Sequence, residues 1–208
     1  MSVLEPRFYP NMMARLHLIS LEDVMGRNGV SALLNLAGLR HLVGNYPPHN
    51  LKREFAYTDF AAICKATETM YGARGARGME LRAGRYAFNL GLREFGPLLG
   101  LSDLALKLLP ISMKVKIALN ATAQVFDRFS DQPTHVEERK GQFLYVMDAC
   151  PCSWGRTADK PRCWPAQGIL EEALAWVTGG HTFKVEEIEC RAIGDSRCVA
   201  AIDKEPLT

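Results

Sequence analysis

Apolar residues recur at three and four positions through the first two thirds of the chain, and alternate at two through much of the last third. The first ten residues read as an extended arm. Arg15 to Ile19 alternates enough for a short strand or a linker, and Ser20 with Asp23 three residues later opens a short helix through Met25 that Gly26 ends. From Gly29 to Val43 the positions Val30, Leu33, Leu34, Ala37 and Val43 have helical spacing, and the Gly44-Asn45-Tyr46-Pro47-Pro48 cluster stops them. Another helix follows Thr58, with Phe60, Ile63, Cys64, Thr67 and Met70 on one stripe and Gly72 as its stop. Cys64 reads there as a small buried hydrophobe, with no other Cys or His on its face.

The stretch GARGARGMELRAGRYAFNLGLREFG packs five arginines and six glycines into twenty-five residues. It predicts a glycine turn and then a helix from about Met79 to Phe95, with arginines solvated on its outer face. The functional alternative has Arg74, Arg77, Arg82 or Arg85 meeting an anionic group through the planar guanidinium fork. Neither a Gly-Lys-Ser/Thr ending nor a G-x-G-x-x-G opening is present, so this is no phosphate loop. Pro110 then divides an apolar stretch into a short helix after Ser102 and a longer one, Ile111 to Phe129. Met113, Ile117, Ala121, Val125 and Phe129 share one side of the longer helix, as core or as the wall of a cavity.

After Pro133 the period falls to two. Thr134 to Glu138 and Gln142 to Met147 read as antiparallel strands joined at Arg139-Lys140-Gly141. A helix from about Gln167 to Val177 stops at Thr178-Gly179-Gly180, and strands Thr182 to Ala192 and Arg197 to Asp203 meet at Ile193-Gly194-Asp195-Ser196. The expectation is one α+β domain over residues 1–208, mainly helical over 1–130, with an antiparallel sheet, an inserted helix and a cysteine-rich stretch over 131–208.

Composition narrows the chemistry. A chain of 208 residues buries a full core without staples, and a net charge of +2 with no strong sign asymmetry gives no reason to expect a nucleic-acid partner. No apolar run approaches the ~18 residues of a membrane span, and Glu5, Pro6, Arg7, Pro10, Asn11 and Arg15 interrupt any leader-like segment, so a cytoplasmic protein is expected. In a reducing compartment clustered cysteines point to metal or redox chemistry before disulfides.

Five of the six cysteines lie between Cys150 and Cys198. Cys163, Glu187, Cys190 and Cys198 make a candidate tetrahedral Zn²⁺ site, closed to water and therefore structural, with buried free thiols as the bland alternative. Strand phase alone does not select Glu187, because residues three apart on a regular strand face opposite ways; a bulge or strand end near Cys190 is required. Cys150 and Cys152, a C-x-C pair, join the same site, form a strained disulfide or carry nothing. His17, His41, His49, His135 and His181 are scattered, and no catalytic constellation is legible.

The run of Cys163, Gly168, Trp176, Gly180, Glu187-Ile188-Glu189-Cys190, Gly194-Asp195 and Cys198 resembles the 4-vinyl reductase domain, found in bacteriochlorophyll biosynthesis and in the aromatic-sensing domains of phenol-responsive activators. The resemblance implies the ligand-binding fold of the NO-signalling and Golgi-transport type, similar to the small TRAPP subunits, a homodimer, and an apolar pocket. It also implies a zinc held by Cys163, Glu187, Cys190 and Cys198, which supplies the choice of Glu187. The 208 residues carry neither the ATPase nor the DNA-binding domain of the sensors, so direct transcription activation is not expected. The expected function is a stand-alone binding domain for a hydrophobic small molecule, a tetrapyrrole or an aromatic hydrocarbon. The alternative is an enzyme or accessory in bacteriochlorophyll synthesis, which would have to borrow its reductant. The pocket is expected between the helix bearing Phe88, Leu92 and Phe95, the helix bearing Met113, Ile117 and Ala121, and the strand bearing Phe143 and Tyr145, with Arg85 or Tyr86 meeting a ligand carboxylate.

Overall fold

The computed structural model describes residues 5–97 and 109–207. The expected helix after Ser102 lies outside them. The arm ends in strand β1 (Phe8–Pro10), which pairs antiparallel with β2 (Arg53–Ala56), Phe8 opposite Ala56 and Tyr9 opposite Phe55. Between them runs helix α1 (Asn11–Leu36), and after β2 the long helix α2 (Tyr57–Phe95). Helix α3 (Ile111–Phe129) has the bounds read from the sequence, opened by Pro110, whose carbonyl accepts from the Met113 and Lys114 amides.

Glycine breaks both long helices where the pattern called for stops. Gly26 (φ 75°, ψ 162°) and Gly72 (φ 66°, ψ 165°) leave helical geometry, in a region that side chains with a Cβ avoid. The helix resumes at once in each case, so two expected pairs of elements are two kinked rods. The reading of Arg15 to Ile19 as strand or linker is corrected: these residues are helical, and Leu16, His17 and Leu18 are buried. The Asn11 and Met12 amides, left without partners at the helix start, donate to the Lys52 and Asn50 carbonyls at 2.9 Å, so the β1–β2 connection caps the helix without a side chain. Ser20, read as an N-cap, sits mid-helix and donates to the Leu16 carbonyl at 2.7 Å.

The second half forms a four-stranded antiparallel sheet in the order β3-β4-β6-β5, from β3 (Thr134–Arg139), β4 (Gln142–Met147), β5 (Val185–Glu189) and β6 (Cys198–Asp203). Helix α4 (Trp164–Thr178) is inserted between β4 and β5, and Gly179 (φ 79°) ends it. Phe143, Tyr145, Met147, Cys198, Ala200 and Ile202 face the main core with the helices. On the opposite face Leu144, Val146, Val199 and Ala201 form a small buried stripe. The α+β expectation of helices against an antiparallel sheet holds.

Helices α2 and α4 meet through a pair of glycines. A Cβ at Gly84 would lie 2.3 Å from the Pro165 carbonyl oxygen, and one at Gly168 2.3 Å from that of Leu81. Backbone oxygens cannot retreat as side chains do, so the crossing demands glycine on both sides. Gly168→Ala is expected to lower stability by about 2 kcal/mol or more, against the ~1 kcal/mol that alanine adds to a helix. Gly78, also in α2, has nothing within 4 Å of a built Cβ. Gly78→Ala is accordingly expected to raise stability by roughly 0.5–1 kcal/mol in denaturant titration; equal effects at both positions would contradict the packing argument.

Candidate metal centre and apolar cavity

Three segments bring the four candidate ligands together. Cys163 immediately precedes α4, Glu187 points inward from β5, Cys190 ends that strand, and Cys198 opens β6. Glu187 pairs with Ala200 and Glu189 with Val199, so the register slips by one residue at Ile188. Residues 188 and 189 thus oppose one partner, and the phase of the strand reverses. The slip places Glu187 and Cys190, three apart, on the same inner face, while the extra residue, Ile188, is 49% exposed. The bulge that the Glu-x-x-Cys spacing required is present.

The Sγ atoms of Cys163, Cys190 and Cys198 stand 3.9, 3.7 and 4.0 Å apart pairwise. A regular tetrahedron with 2.3 Å zinc–sulfur bonds has edges of about 3.8 Å. One oxygen of Glu187 accepts from the Cys163 amide at 2.8 Å, and the other, Oε1, is buried without a partner. The four ligand atoms lie within 4.8 Å of one another. Three thiols at the edge length of a tetrahedron and one orphaned carboxylate oxygen form a donor set that fits a four-coordinate soft cation.

The surrounding backbone holds these groups in place. The Cys190 amide donates to Asp195 Oδ2 at 2.7 Å, across the turn where Gly194 adopts φ 106°. The Arg191 amide donates to Cys198 Sγ at 3.3 Å, a bond that strengthens when the sulfur is a thiolate. Burial and then the neighbouring Cys190 thiol push the Glu187 carboxyl up to about 8. Cys150 and Cys152 flank Pro151 in a tight turn after β4, and their loop is fastened to α2 by Glu68, which ion-pairs with Arg156 and Arg162. Hydrogen bonds from Cys152 and then Cys163 hold the Cys150 thiol low, while the same neighbour pushes Cys152 and Cys163 up. Cys64 is buried as expected, and a thiol from outside its own helix, Cys152 of the loop, lies beside it.

A cavity of about 130 Å³ adjoins this cluster, walled by α1, α2, α3, α4 and β4. Phe88, Leu92, Phe95, Ile117, Ala121 and Tyr145 line it. Met113, Phe143, Arg85 and Tyr86 are not among its described lining residues. Residues four apart drift about 40° around a helix per step, which carries Met113, 48% exposed, off the wall that Ile117 and Ala121 share. Phe143 is buried in the core next to the Lys204 ammonium. Arg85 turns across the α2–α4 seam to Glu171 at 2.7 Å, and Tyr86 is 38% exposed. Arg74, Arg77 and Arg82 are exposed, as the solvated reading of that stretch had it.

The sequence reading misses the wall formed by β1, α1 and the loop cysteines: Tyr9, Met13, Leu16, His17, Cys150 and Cys152. A helical register through Met13, Leu16, His17 and Leu21 was the available signal, overlooked in favour of a short alternation. His17 stacks on Phe60 at 4.5 Å, and its Nε2 stands 3.8 Å from Glu80 Oε2. His17 Nε2, both Glu80 oxygens and the Tyr145 hydroxyl are buried without partners. Burial lowers His17 to about 4 and raises Glu80 to about 7, so the two face each other as neutral groups in mildly acidic solution.

Residues 145–204 match the model of the 4-vinyl reductase domain family. No curated protein matches the sequence. Among solved structures the chain is similar to the Fe(II) unliganded H-NOX protein of K. algicida, with a TM-score of 0.61 and 13% identity over 94% of this chain and 96% of that one. It is also similar to an H-NOX protein of S. oneidensis in the Fe(II)NO ligation state, with a TM-score of 0.55 and 13% identity over 93% and 98% of the two chains. At these identities the likeness is one of fold, and the helices-on-sheet arrangement is that of the H-NOX proteins.

Glu80 yields a pH prediction. Its pKa in the folded chain, about 7, lies above the ordinary 4.5, so its contribution is intact below about 4.5 and is lost as pH rises through 7. His17, Thr67, Arg156, Glu68 and Cys64 are the polar groups around it. Relative to wild type, Glu80→Gln is expected to gain stability between about pH 5 and about pH 8, by up to about 3 kcal/mol. A difference in melting temperature that does not change with pH would contradict a neutral, buried Glu80.

Proposed function

We propose that this chain is a receptor domain that holds a small aromatic molecule bearing one polar group in its apolar cavity, and that a separate, closed zinc site cross-links its sheet side. The supporting observation is the cavity itself: about 130 Å³, walled by Phe60, Phe88, Leu92, Ile117 and Ala121, with the unpartnered His17 Nε2 and Tyr145 hydroxyl among its lining residues. An apolar cavity of ~150 Å³ holds one benzene ring, so this one is of single-ring size. The lone acceptor or donor of such a ligand is what would satisfy a buried polar atom left without a partner.

Two further solved structures similar to this chain concern heme distortion in the H-NOX family and the modulation of heme redox potential by porphyrin distortion. The described residues here do not fit that group. Their cavity is far smaller than a four-pyrrole macrocycle, no Arg or Lys among them lines it, and its only histidine, His17, lies against Phe60 and Glu80. The size argument favours the aromatic hydrocarbon over the tetrapyrrole among the expected ligands.

Zinc is supported by the donor chemistry: three thiolates at tetrahedral spacing, an orphaned carboxylate oxygen, and no vacancy for water. Cys163, Glu187, Cys190 and Cys198 would hold it, and the ion would supply cross-linking of α4 to β5 and β6, with no part in a reaction. The homodimer that the resemblance implies is part of the same proposal; Val30, Leu33 and Leu34 are buried within the chain, whereas Leu36 and Val43 are exposed. No helix among the described residues is long and apolar enough to cross a membrane.

Protein purified without chelator is expected to retain tightly bound zinc, and Cys190→Ser to lose that ion with a fall in melting temperature. Elemental analysis finding no zinc in the wild type would remove the metal from the reading. Calorimetric titration with phenol, benzene and protoporphyrin tests the cavity. The single-ring compounds are expected to bind, Ala121→Trp to weaken them at least tenfold, and His17→Phe to erase about a fivefold preference for phenol over benzene. Porphyrin binding without phenol binding would overturn the proposal.

A further inference from the structure

The cavity and the metal centre share a boundary of sulfur. Cys163 Sγ, 3.9 and 3.7 Å from those of Cys190 and Cys198, also lies 3.2 Å from Cys150 Sγ. Cys150, Cys152 and Cys163 form a second buried group whose ligand atoms lie within 4.8 Å of one another. We propose that these three thiols are a second cation site, for a divalent thiophilic ion of the zinc type, which shares Cys163 with the first site as a bridging thiolate. Its fourth position is open to a donor atom of a ligand in the cavity. The inference rests on the zinc reading of the first site.

Charge decides the class of ion. One divalent cation with three thiolates and a carboxylate leaves two negative charges on the first site. Adding Cys150 and Cys152 as thiolates together with a second divalent ion adds nothing to that total, since Cys163 is already counted. A monovalent ion would add a further negative charge to a region where Cys150, Cys163, Cys190 and Cys198 are each at most 3% exposed, which burial opposes. The second ion takes Cys150 and Cys152 as thiolates, any remaining thiol proton leaving to solvent, and no electron moves.

The thiols are held for such a role before any ion arrives. Cys150 and Cys152 sit at the two ends of a turn stiffened by Pro151. The Cys150 carbonyl accepts from the Ser153 amide at 3.3 Å and from its hydroxyl at 3.1 Å, and the Cys152 carbonyl accepts from Arg156 at 2.9 Å. All six cysteines are free, so no disulfide consumes these sulfurs. The 3.2 Å separation of Cys150 and Cys163 is shorter than the ~3.8 Å tetrahedral edge, and a small side-chain rotation opens it.

The fourth position follows from the surroundings. Cys64 lies beside Cys152 but outside the set that converges on one point, and Glu187 belongs to the other group. Cys150 and Cys152 both line the cavity. Three protein ligands with a free position turned to a pocket is the arrangement in which zinc accepts an exogenous donor. A thiol, a phenolate or an azole nitrogen on a single aromatic ring would satisfy both the cavity and the ion.

The test is metal stoichiometry in the full chain, stripped of metal under reductant and titrated with Zn²⁺, with ions counted by native mass spectrometry. The wild type is expected to take two ions, and Cys150→Ser and Cys152→Ser one each, with the remaining ion still tight. With Co²⁺ in place of zinc, thiophenol is expected to shift the visible bands of the wild type but not those of Cys152→Ser. A wild type that binds one ion, unchanged in either variant, overturns the second site and leaves the first standing. Two ions that persist in both variants also overturn it. A wild type that takes no ion overturns both sites together.

Discussion

The one-residue slip in β5 at Ile188 is the constraint from which the rest of the site follows. Without it Glu187 and Cys190 would face opposite sides of the sheet, and Cys163 and Cys198 would meet no carboxylate. With it, three segments distant in sequence converge: the residue before α4, the end of β5 and the start of β6. A cluster of buried thiols and a buried carboxylate is costly by itself and becomes favourable around a cation, so the bulge assembles a set of groups that a cation would stabilise. The Asp195 bond to the Cys190 amide and the left-handed Gly194 keep the strand end where the slip leaves it.

The cavity depends on that centre and on the helix crossing above it. Gly84 and Gly168 let α2 and α4 approach to backbone contact, which sets how far Phe88 and Leu92 stand from Ile169 and Ala173 across the cavity. Below, the turn bearing Cys150 and Cys152 forms part of the wall and is fastened to α2 by Glu68 through Arg156 and Arg162. Trp154 in the same loop lies between the Arg7 and Arg191 guanidinium groups, at 5.4 and 5.1 Å, and meets the edge of Tyr57. Cys150, 3.2 Å from Cys163, and Cys152 thus join the candidate ligand set to the cavity wall through a short, packed loop.

Much of this was legible in the chain, and the reasons differ by element. The β3–β4 hairpin showed through the turn Arg139-Lys140-Gly141 between two strand-like runs, the second almost wholly apolar, and α3 through a clean apolar stripe after Pro110. Gly26 and Gly72 were read as stops and are kinks, because a sequence marks where a helix loses its geometry but not whether it resumes. The start of α1 was misread since its first turn is capped by carbonyls from forty residues away. The need for a bulge could be deduced from the Glu-x-x-Cys spacing, but His17 and Glu80 could not be paired from sequence, because long-range packing alone brings them together. Cys64 and Cys152 were separated in the reading for the same reason.

The central claim is that Glu187 completes a closed site with three thiolates, and zinc-edge X-ray absorption tests it most directly. The Cys152→Ser chain loaded with one equivalent of zinc isolates the first site. The account predicts three sulfurs at about 2.3 Å and one oxygen at about 2.0 Å, with the oxygen shell lost in Glu187→Ala. Four sulfurs, or an oxygen shell unchanged by Glu187→Ala, would contradict it.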